Sequence, residues 1–292
     1  MQWQEVETAI SQATQQTFKI LNHDAVSGGC INSAYRVTDG KQSFFVKTNR
    51  ADLVDMFAAE MAGLEEIHNS QSICAPKPIT VGSSKHHCYL VLEYLDLSNR
   101  HIDDELFGQQ LAAMHQQTNT QFGWFRDNTI GSTEQINDQS SNWLSFWKQQ
   151  RLAFQFDLAT RNGFRGQLQQ LGRQLIEELD VFFTTYNPSP SLLHGDLWSG
   201  NYSSLGDGTP VIFDPATYYG DREADLAMTE LFGGFSHRFY AAYKEAAPLE
   251  PGYQTRKTLY NLYHILNHLN LFGGGYLSQA ESMAQSLLAE IK

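Results

Sequence analysis

Residues 192–201 read LLHGDLWSGN: two leucines of strand type run into His194, Asp196 and Asn201, with Gly195 and Gly200 able to bend the chain. Farther on, the apolar run VIF leads into Asp214. Asp, Asn and Gly are ordinary turn residues, and any one of them alone has that reading. Together they form an oxygen set. Hard cations such as Mg²⁺ take oxygen ligands, commonly one or two carboxylates completed by substrate phosphates. The turn Gly206-Asp207-Gly208 joins two short strands, which puts Asn201 and Asp214 at the same end of one β-ribbon. They make such a ligand pair, leaving Asp196 to meet a substrate hydroxyl. His194 reads as a strut for the loop. Trp198 fits equally well packed under the loop or stacked on a substrate ring.

A second charge pattern lies upstream. Lys47 follows FFV on a strand-type run, where an unpaired ammonium is costly. Glu60 falls inside the apolar stripe Leu53, Met56, Phe57, Glu60, Leu64 and Ile67 of the next helix. Two misplaced opposite charges are satisfied by pairing. Before them, VSGGCINSAYRV places Gly28 and Gly29 between strands, with neither GxxxxGK[ST] nor GxGxxG spacing. The plain reading is a hairpin turn, and the functional one a flap whose N–H groups approach phosphate. Cys30, beside those glycines, is either a small apolar filler or a redox-sensitive thiol.

The elements that must position these groups change character along the chain. A helix over 3–16, strands at FKI and at AYRVTDGKQSFFVKT, a helix at DLVDMFAAEMAGLEEI and a buried strand at HHCYLVLEYL make a β-rich start. Asp39-Gly40 is a two-residue hairpin signal, and CAPKPITVGS a break. From about residue 100 the pattern is helical, interrupted by PSLLHGDLWSGNYSS and PVIFDPA. Asp225, ahead of LAMTELF, reads as a helix N-cap with a structural role. His264 and His268 have metal-type spacing but sit in an aromatic helix, so packing is the expectation.

The chain has 292 residues, 41% of them hydrophobic, and a formal net charge of −12. The charge argues against a broad nucleic-acid or anionic-membrane footprint. The three cysteines form no disulfide framework or zinc pattern, which fits a reducing, cytoplasmic setting. No signal peptide and no bilayer-length apolar run is visible.

These features together resemble the protein-kinase-like fold and, more narrowly, the fructosamine kinase (ketosamine-3-kinase) family. The resemblance is carried by HGDLWSGN, FDPATYYGDREADLAMTELFGG and LYNLYHILNHLNLFGGGY, with GGCINSAYRV and FFVK upstream, and it runs nearly end to end. HGD with the later FDP is shared with aminoglycoside phosphotransferases and choline kinases. HGDLWSGN followed by DPA and YYGDREADLAM is much narrower.

The resemblance implies an α+β, two-lobed fold. A small β-rich N-lobe over 1–92 would cover the nucleotide, with a hinge at 93–99 and a large helical C-lobe over 100–292 carrying the catalytic hairpin and substrate site. It implies ATP and Mg²⁺ as cofactors. Asp196 would be the catalytic residue, with Asn201 and Asp214 on the metal and Lys47, fixed by Glu60, on the phosphates. Gly28 and Gly29 would close over the nucleotide, and Glu93, Tyr94 and Leu95 would offer hinge groups to adenine. Trp198 would contact substrate, Asp221, Arg222 and Glu223 would line its mouth, Asp225 would tie down the catalytic loop, and Cys30 would be the oxidisable cysteine some members carry. The implied reaction phosphorylates the 3-hydroxyl of ketosamines, giving an unstable product that releases the amine. The implied partners are a small ketosamine or a glycated amine or protein, without nucleic acid or membrane, for a monomer or homodimer. Two other readings stand beside it: a kinase for an amino sugar, aminoglycoside or choline, and a non-catalytic nucleotide-binding regulator. The intact set Lys47, Glu60, Asp196, Asn201 and Asp214 argues against the regulator. No GxSxG is present for a hydrolase.

Overall fold

The computed structural model describes residues 3–26, 32–98 and 102–291. In chain order the elements begin with α1 (Trp3–Thr14), β1 (Asn22–Val26), β2 (Ser33–Thr38), β3 (Ser43–Arg50), α2 (Val54–Ser70), β4 (Pro78–Ser83) and β5 (His87–Glu93). There follow α3 (Asp104–His115), β6 (Asn128–Ile130), β7 (Thr133–Gln135), α4 (Trp143–Phe146), α5 (Phe154–Arg161), α6 (Gln167–Glu177) and β8 (Ser191–Leu193). The chain continues with β9 (Tyr202–Ser204), β10 (Pro210–Ile212), β11 (Tyr218–Gly220), α7 (Arg222–Leu231), α8 (His237–Ala246), α9 (Tyr253–Phe272) and α10 (Leu277–Glu290). The result is the expected α+β chain, with strands concentrated early and helices late.

Two compact units divide it: Met1–Asp103 with Tyr202–Pro215, and Asp104–Asn201 with Ala216–Lys292. In the first, five antiparallel strands lie in the order β1-β2-β3-β5-β4. Alternation along the strands sorts their side chains. Val37, Phe44, Val46, Tyr89 and Val91 form one buried cluster with Val6, Ile10 and Phe18. Lys47 is the next residue after Val46 and so takes the opposite face, where α2 buries Phe57, Leu64 and Ile67.

The β9–β10 hairpin, expected within the C-terminal part, groups instead with this first unit. It is tied there by Ser98 N to Ser204 O (2.7 Å), Ile212 N to Cys74 O (3.0 Å) and Asp103 N to Gly208 O (3.0 Å). The FKI segment is not a strand. Side chains of α1 take its backbone, with Ser11 Oγ accepting from Phe18 N (2.9 Å) and Glu7 Oε1 from Ile20 N (2.7 Å). The Asp39-Gly40 hairpin is real but wider than two residues. Thr38 pairs with Ser43, and Asp39 Oδ1 accepts from Lys41 N (2.8 Å) and Gln42 N (2.7 Å). The proline break conceals β4, an edge strand that starts on Pro78, where no ladder donor is needed.

The second unit is built around α9, buried along most of its length. Its Tyr260 and Tyr263 rings meet Trp147 in a π-helical segment, Trp147–Ala153, that joins α4 to α5. Strands β8 and β11 pair antiparallel, Leu193 opposite Tyr218. They deliver the loop that begins at His194. The hairpin β6–β7 and the helices α8 and α10 were not read from the sequence.

Candidate active site

In the first unit Lys47, Glu60 and Asp214 converge. The Lys47 Nζ donates to Glu60 Oε1 (2.6 Å) and to Asp214 Oδ1 (2.5 Å). Lys47 is buried and the Asp214 side chain 46% exposed, so the trio reaches from the protein interior towards solvent. Burial alone would push the Lys47 pKa down; the carboxylates of Asp214 and Glu60 outweigh it, and the ammonium is held charged. Burial pushes the Glu60 carboxyl up, with Lys47 opposing and Asp214 adding. One ammonium between two acids leaves negative charge uncompensated, the condition that favours a further cation.

Asp214 has a second peculiarity. Among the described residues only Gln15, Gln71 and Asp214 are non-glycines with positive φ, and Gln15 and Gln71 immediately follow helices. Asp214, at φ 58°, instead follows β10. A side chain held in the left-handed region away from a helix end is the kind of local strain found at functional sites.

In the second unit the loop after β8 is clamped from below. Asp225, 2% exposed, accepts from His194 N (2.7 Å) and Gly195 N (2.8 Å), and its Oδ2 lies 3.2 Å from His115 Nε2. Asp225 is therefore not the helix cap. Asp221 caps α7, accepting from Glu223 N at 3.0 Å, while Asp225 uses its place in the first turn to fix the loop. Burial opposes the Asp225 charge, but His115 and the loop amides hold its pKa below the usual carboxylate range. Gly195 has φ 83°, and a Cβ there would fall 2.1 Å from Ala216 O. No other residue type fits.

Asn201 closes the loop. Its Nδ2 donates to Asp196 O (2.8 Å) and Asp196 Oδ2 (3.1 Å), and its backbone N donates to Trp198 O (2.9 Å). The amide nitrogen thus orients the Asp196 carboxylate, and the amide's other end is the oxygen a cation would use. Asn201 directly precedes β9, and Asp214 follows β10 after Phe213. Among the described residues no three of His, Cys, Asp or Glu cluster as a protein-only metal cage.

Other expected residues take different places. Trp198 is 37% exposed and folds over the loop's own Gly200, where a Cβ would fall 2.4 Å from the indole. Asp221 and Glu223 are not brought to a surface; each is 0% exposed. Asp221 accepts from the Tyr186 hydroxyl (2.8 Å) and the Tyr260 hydroxyl (2.5 Å). Glu223 receives a bidentate pair from Arg256, at 2.7 and 2.9 Å, and Arg256 lies 3.7 Å from the Tyr186 ring centroid. Burial pushes both carboxyls up, Glu223 to about 7, yet the two-pronged guanidinium contact is the geometry of a charged Glu223. Sequence reasoning missed Arg256, whose partner is distant in the chain. Glu93 N already donates to Lys77 O (2.8 Å), Arg36 lies 4.7 Å from the centroid of the Tyr94 ring, and Leu95 is half-buried. Gly28, Gly29 and Cys30 lie outside the described residues.

Comparison with known proteins settles the family. The model of the fructosamine kinase family matches residues 2–290. This chain belongs to the fructosamine kinase family. Its relatives include a protein named as a probable ketoamine kinase in Synechocystis sp., 50% identical over 98% of this chain and 97% of that one. Another is the chloroplastic protein-ribulosamine 3-kinase of Arabidopsis thaliana, 42% identical over 92% of this chain and 83% of that one. Among solved structures, one from Haemophilus somnus that carries the fructosamine-3-kinase name superposes with TM-score 0.90 at 29% identity, covering 98% and 97% of the two chains. An aminoglycoside phosphotransferase, at TM-score 0.61 and 14% identity, shares the fold alone. The fructosamine kinase fold of this chain is thus protein-kinase-like, and the family makes it a phosphotransferase with a hydroxyl acceptor. No helix among the described residues is long and apolar enough to cross a membrane.

Proposed function

We propose that the protein is an ATP- and Mg²⁺-dependent ketosamine 3-kinase, transferring the γ-phosphoryl of ATP to the 3-hydroxyl of a sugar-derived ketosamine. The observation that carries the reading is the Lys47–Glu60–Asp214 cluster of the first unit in a chain of this family, and the oriented carboxylate of Asp196 in the second unit supports it. In this reading O3 of the acceptor attacks the γ-phosphorus, the bond to the bridging oxygen breaks, and ADP leaves. The hydroxyl proton passes to a carboxylate oxygen of Asp196, which Asn201 Nδ2 holds in place. The transition state is loose, so Asp196 acts by position more than by base strength. Lys47, kept charged by its carboxylates, supplies positive charge to the phosphates.

Asn201 and Asp214 fit a Mg²⁺ site by chemistry: one amide oxygen and one half-exposed carboxylate, a set that substrate phosphates would complete. Bound there, the ion would neutralise charge on the transferred phosphoryl. Asp225 and Gly195 set the loop's height beneath the acceptor. Glu93, Tyr94 and Leu95 would offer the hinge groups to adenine, with Glu93 N already engaged by Lys77 O. The first unit is assigned to the nucleotide, and the second to the acceptor. Trp198 offers a half-exposed ring to the acceptor. The acceptor is a free ketosamine or a glycated amine on a protein, and the setting is cytoplasmic.

The test is ADP release in a coupled assay with fructosamine, ribulosamine and erythrulosamine acceptors beside choline and an aminoglycoside. ADP release with ketosamines alone is the expected result. Preference for choline or the aminoglycoside would replace the substrate, and nucleotide binding without turnover would favour the regulator.

A further inference from the structure

Beyond the catalytic loop, aromatic rings continue in a row across the second unit. The Trp198 ring lies edge-on to Phe232, centroids 6.3 Å apart. Phe232 meets His268 at 4.8 Å, and His268 meets Phe272 at 5.5 Å and Tyr276 at 5.3 Å. Three elements contribute: the residue ending α7, the last turns of α9, and the turn before α10. The row is partly uncovered. Phe272 is 62% exposed and Trp198 37%, both among the most exposed large apolar side chains of the described residues. Ser199 Oγ donates to Phe232 O at 3.4 Å, tying the row to the loop that carries Asp196. A row of touching rings whose two ends, Trp198 and Phe272, are exposed, and which begins at a catalytic loop, is a binding surface more often than an accident of the fold.

We propose that Phe232, His268, Phe272 and Tyr276 form a subsite for the amine-bearing arm of the acceptor, extending from the sugar at Trp198. The proposal rests on the ketosamine reading. A ketosamine nitrogen is a secondary amine, cationic at neutral pH, and its arm, as in a lysine side chain, is apolar. Aromatic faces attract the cation and cover the methylenes. His268 adds one polar contact. Its Nδ1 lies 2.8 Å from the carbonyl of His264, which only accepts, so that nitrogen carries the hydrogen. Burial lowers its pKa, and the neutral ring keeps Nε2 as an acceptor for an ammonium N–H.

The test uses two acceptors with one sugar and different arms, the methylamine adduct of fructose and its Nα-acetyl-lysine adduct. The ratio of their kcat/KM values, lysine over methyl, is measured for the wild type, Phe272→Ala and Tyr276→Ala. The ratio should fall about tenfold in each variant, mainly through KM for the lysine adduct, as expected for methylenes returned to water. Phe272→Leu separates the forces: if ring faces hold the cation the ratio falls there too, and if only area matters it stays. Unchanged ratios in both alanine variants, with the wild type active on both acceptors, overturn the subsite and leave the ketosamine reading standing. A wild type inactive on both acceptors overturns the ketosamine reading itself, and the subsite with it.

Discussion

Lys47 lies between two carboxylates that have different duties. Glu60, buried on α2, fixes the ammonium; Asp214, strained and half-exposed, presents the other charge outward. Metal-dependent nucleotide binding would therefore fall to Asp214. In titration calorimetry Asp214→Ala should lose the gain in ATP affinity that Mg²⁺ gives the wild type, by at least about tenfold, the lower range for disturbing a metal shell. A variant that keeps the full Mg²⁺ effect would move the metal elsewhere. The Lys47–Glu60 pair was legible because each charge was out of place in its own apolar pattern, and complementary misfits have few solutions. Asp225 was only half legible. Its position before an apolar run read as a cap, but the backbone amides it holds are 30 and 31 residues away. Asp221 and Glu223 misled for the same reason: their partners Tyr186, Tyr260 and Arg256 cannot be paired with them from one sequence.

The loop after β8 is set by packing more than by its own hydrogen bonds. Gly195 passes so close to Ala216 that even a methyl group collides, and its left-handed φ adds strain of about 1–2 kcal/mol for any other residue. Gly195→Ala should push the loop outward and lower kcat about 10²-fold, the size of effect a 1 Å misplacement gives, while the protein still melts cooperatively. Paired kcat and thermal-melt measurements check this. Normal turnover would mean that the loop height does not matter. The elements most easily read were those with unbroken periodicity, α2 and β5 among them. FKI failed because α1, an element before it in the chain, supplies its hydrogen-bond partners. β4 was hidden by prolines that an edge position tolerates. The helices α8 and α10 carry mixed polar and small residues, so their apolar faces show only once their partners are known.

The stability of the whole chain should carry one acid-sensitive contribution from the floor of the second unit. His264 is 3% exposed, its Nδ1 has no hydrogen-bond partner among the described residues, and burial pushes its pKa down from 6.5 to about 3. The folded form keeps the ring neutral, whereas the unfolded chain takes up a proton below its ordinary pKa. The contribution is fully present above pH 6.5 and is lost as pH falls towards 3. The slope is up to about 1.4 kcal/mol per pH unit. Denaturant midpoints for the wild type and His264→Gln, compared at about pH 7 and about pH 5, should show the smaller acid loss in the variant. Equal losses would place the acid sensitivity elsewhere. The α+β class and the order of its halves were legible in the sequence, since strand-type runs end where helical runs begin. The grouping of β9–β10 with the first unit was not, because backbone contacts to Cys74, Ser98 and Asp103 leave no mark on residue types.

The most direct measurement of the central claim is the position of the phosphate on the product. Incubation of the fructosyl adduct with ATP and Mg²⁺, followed by phosphorus and proton NMR, should show phosphate on O3 for the wild type. Asp196→Ala should make the same product about 10²- to 10⁴-fold more slowly, with ATP affinity little changed. Phosphate on another hydroxyl, or Asp196→Ala turning over at the wild-type rate, would contradict the account.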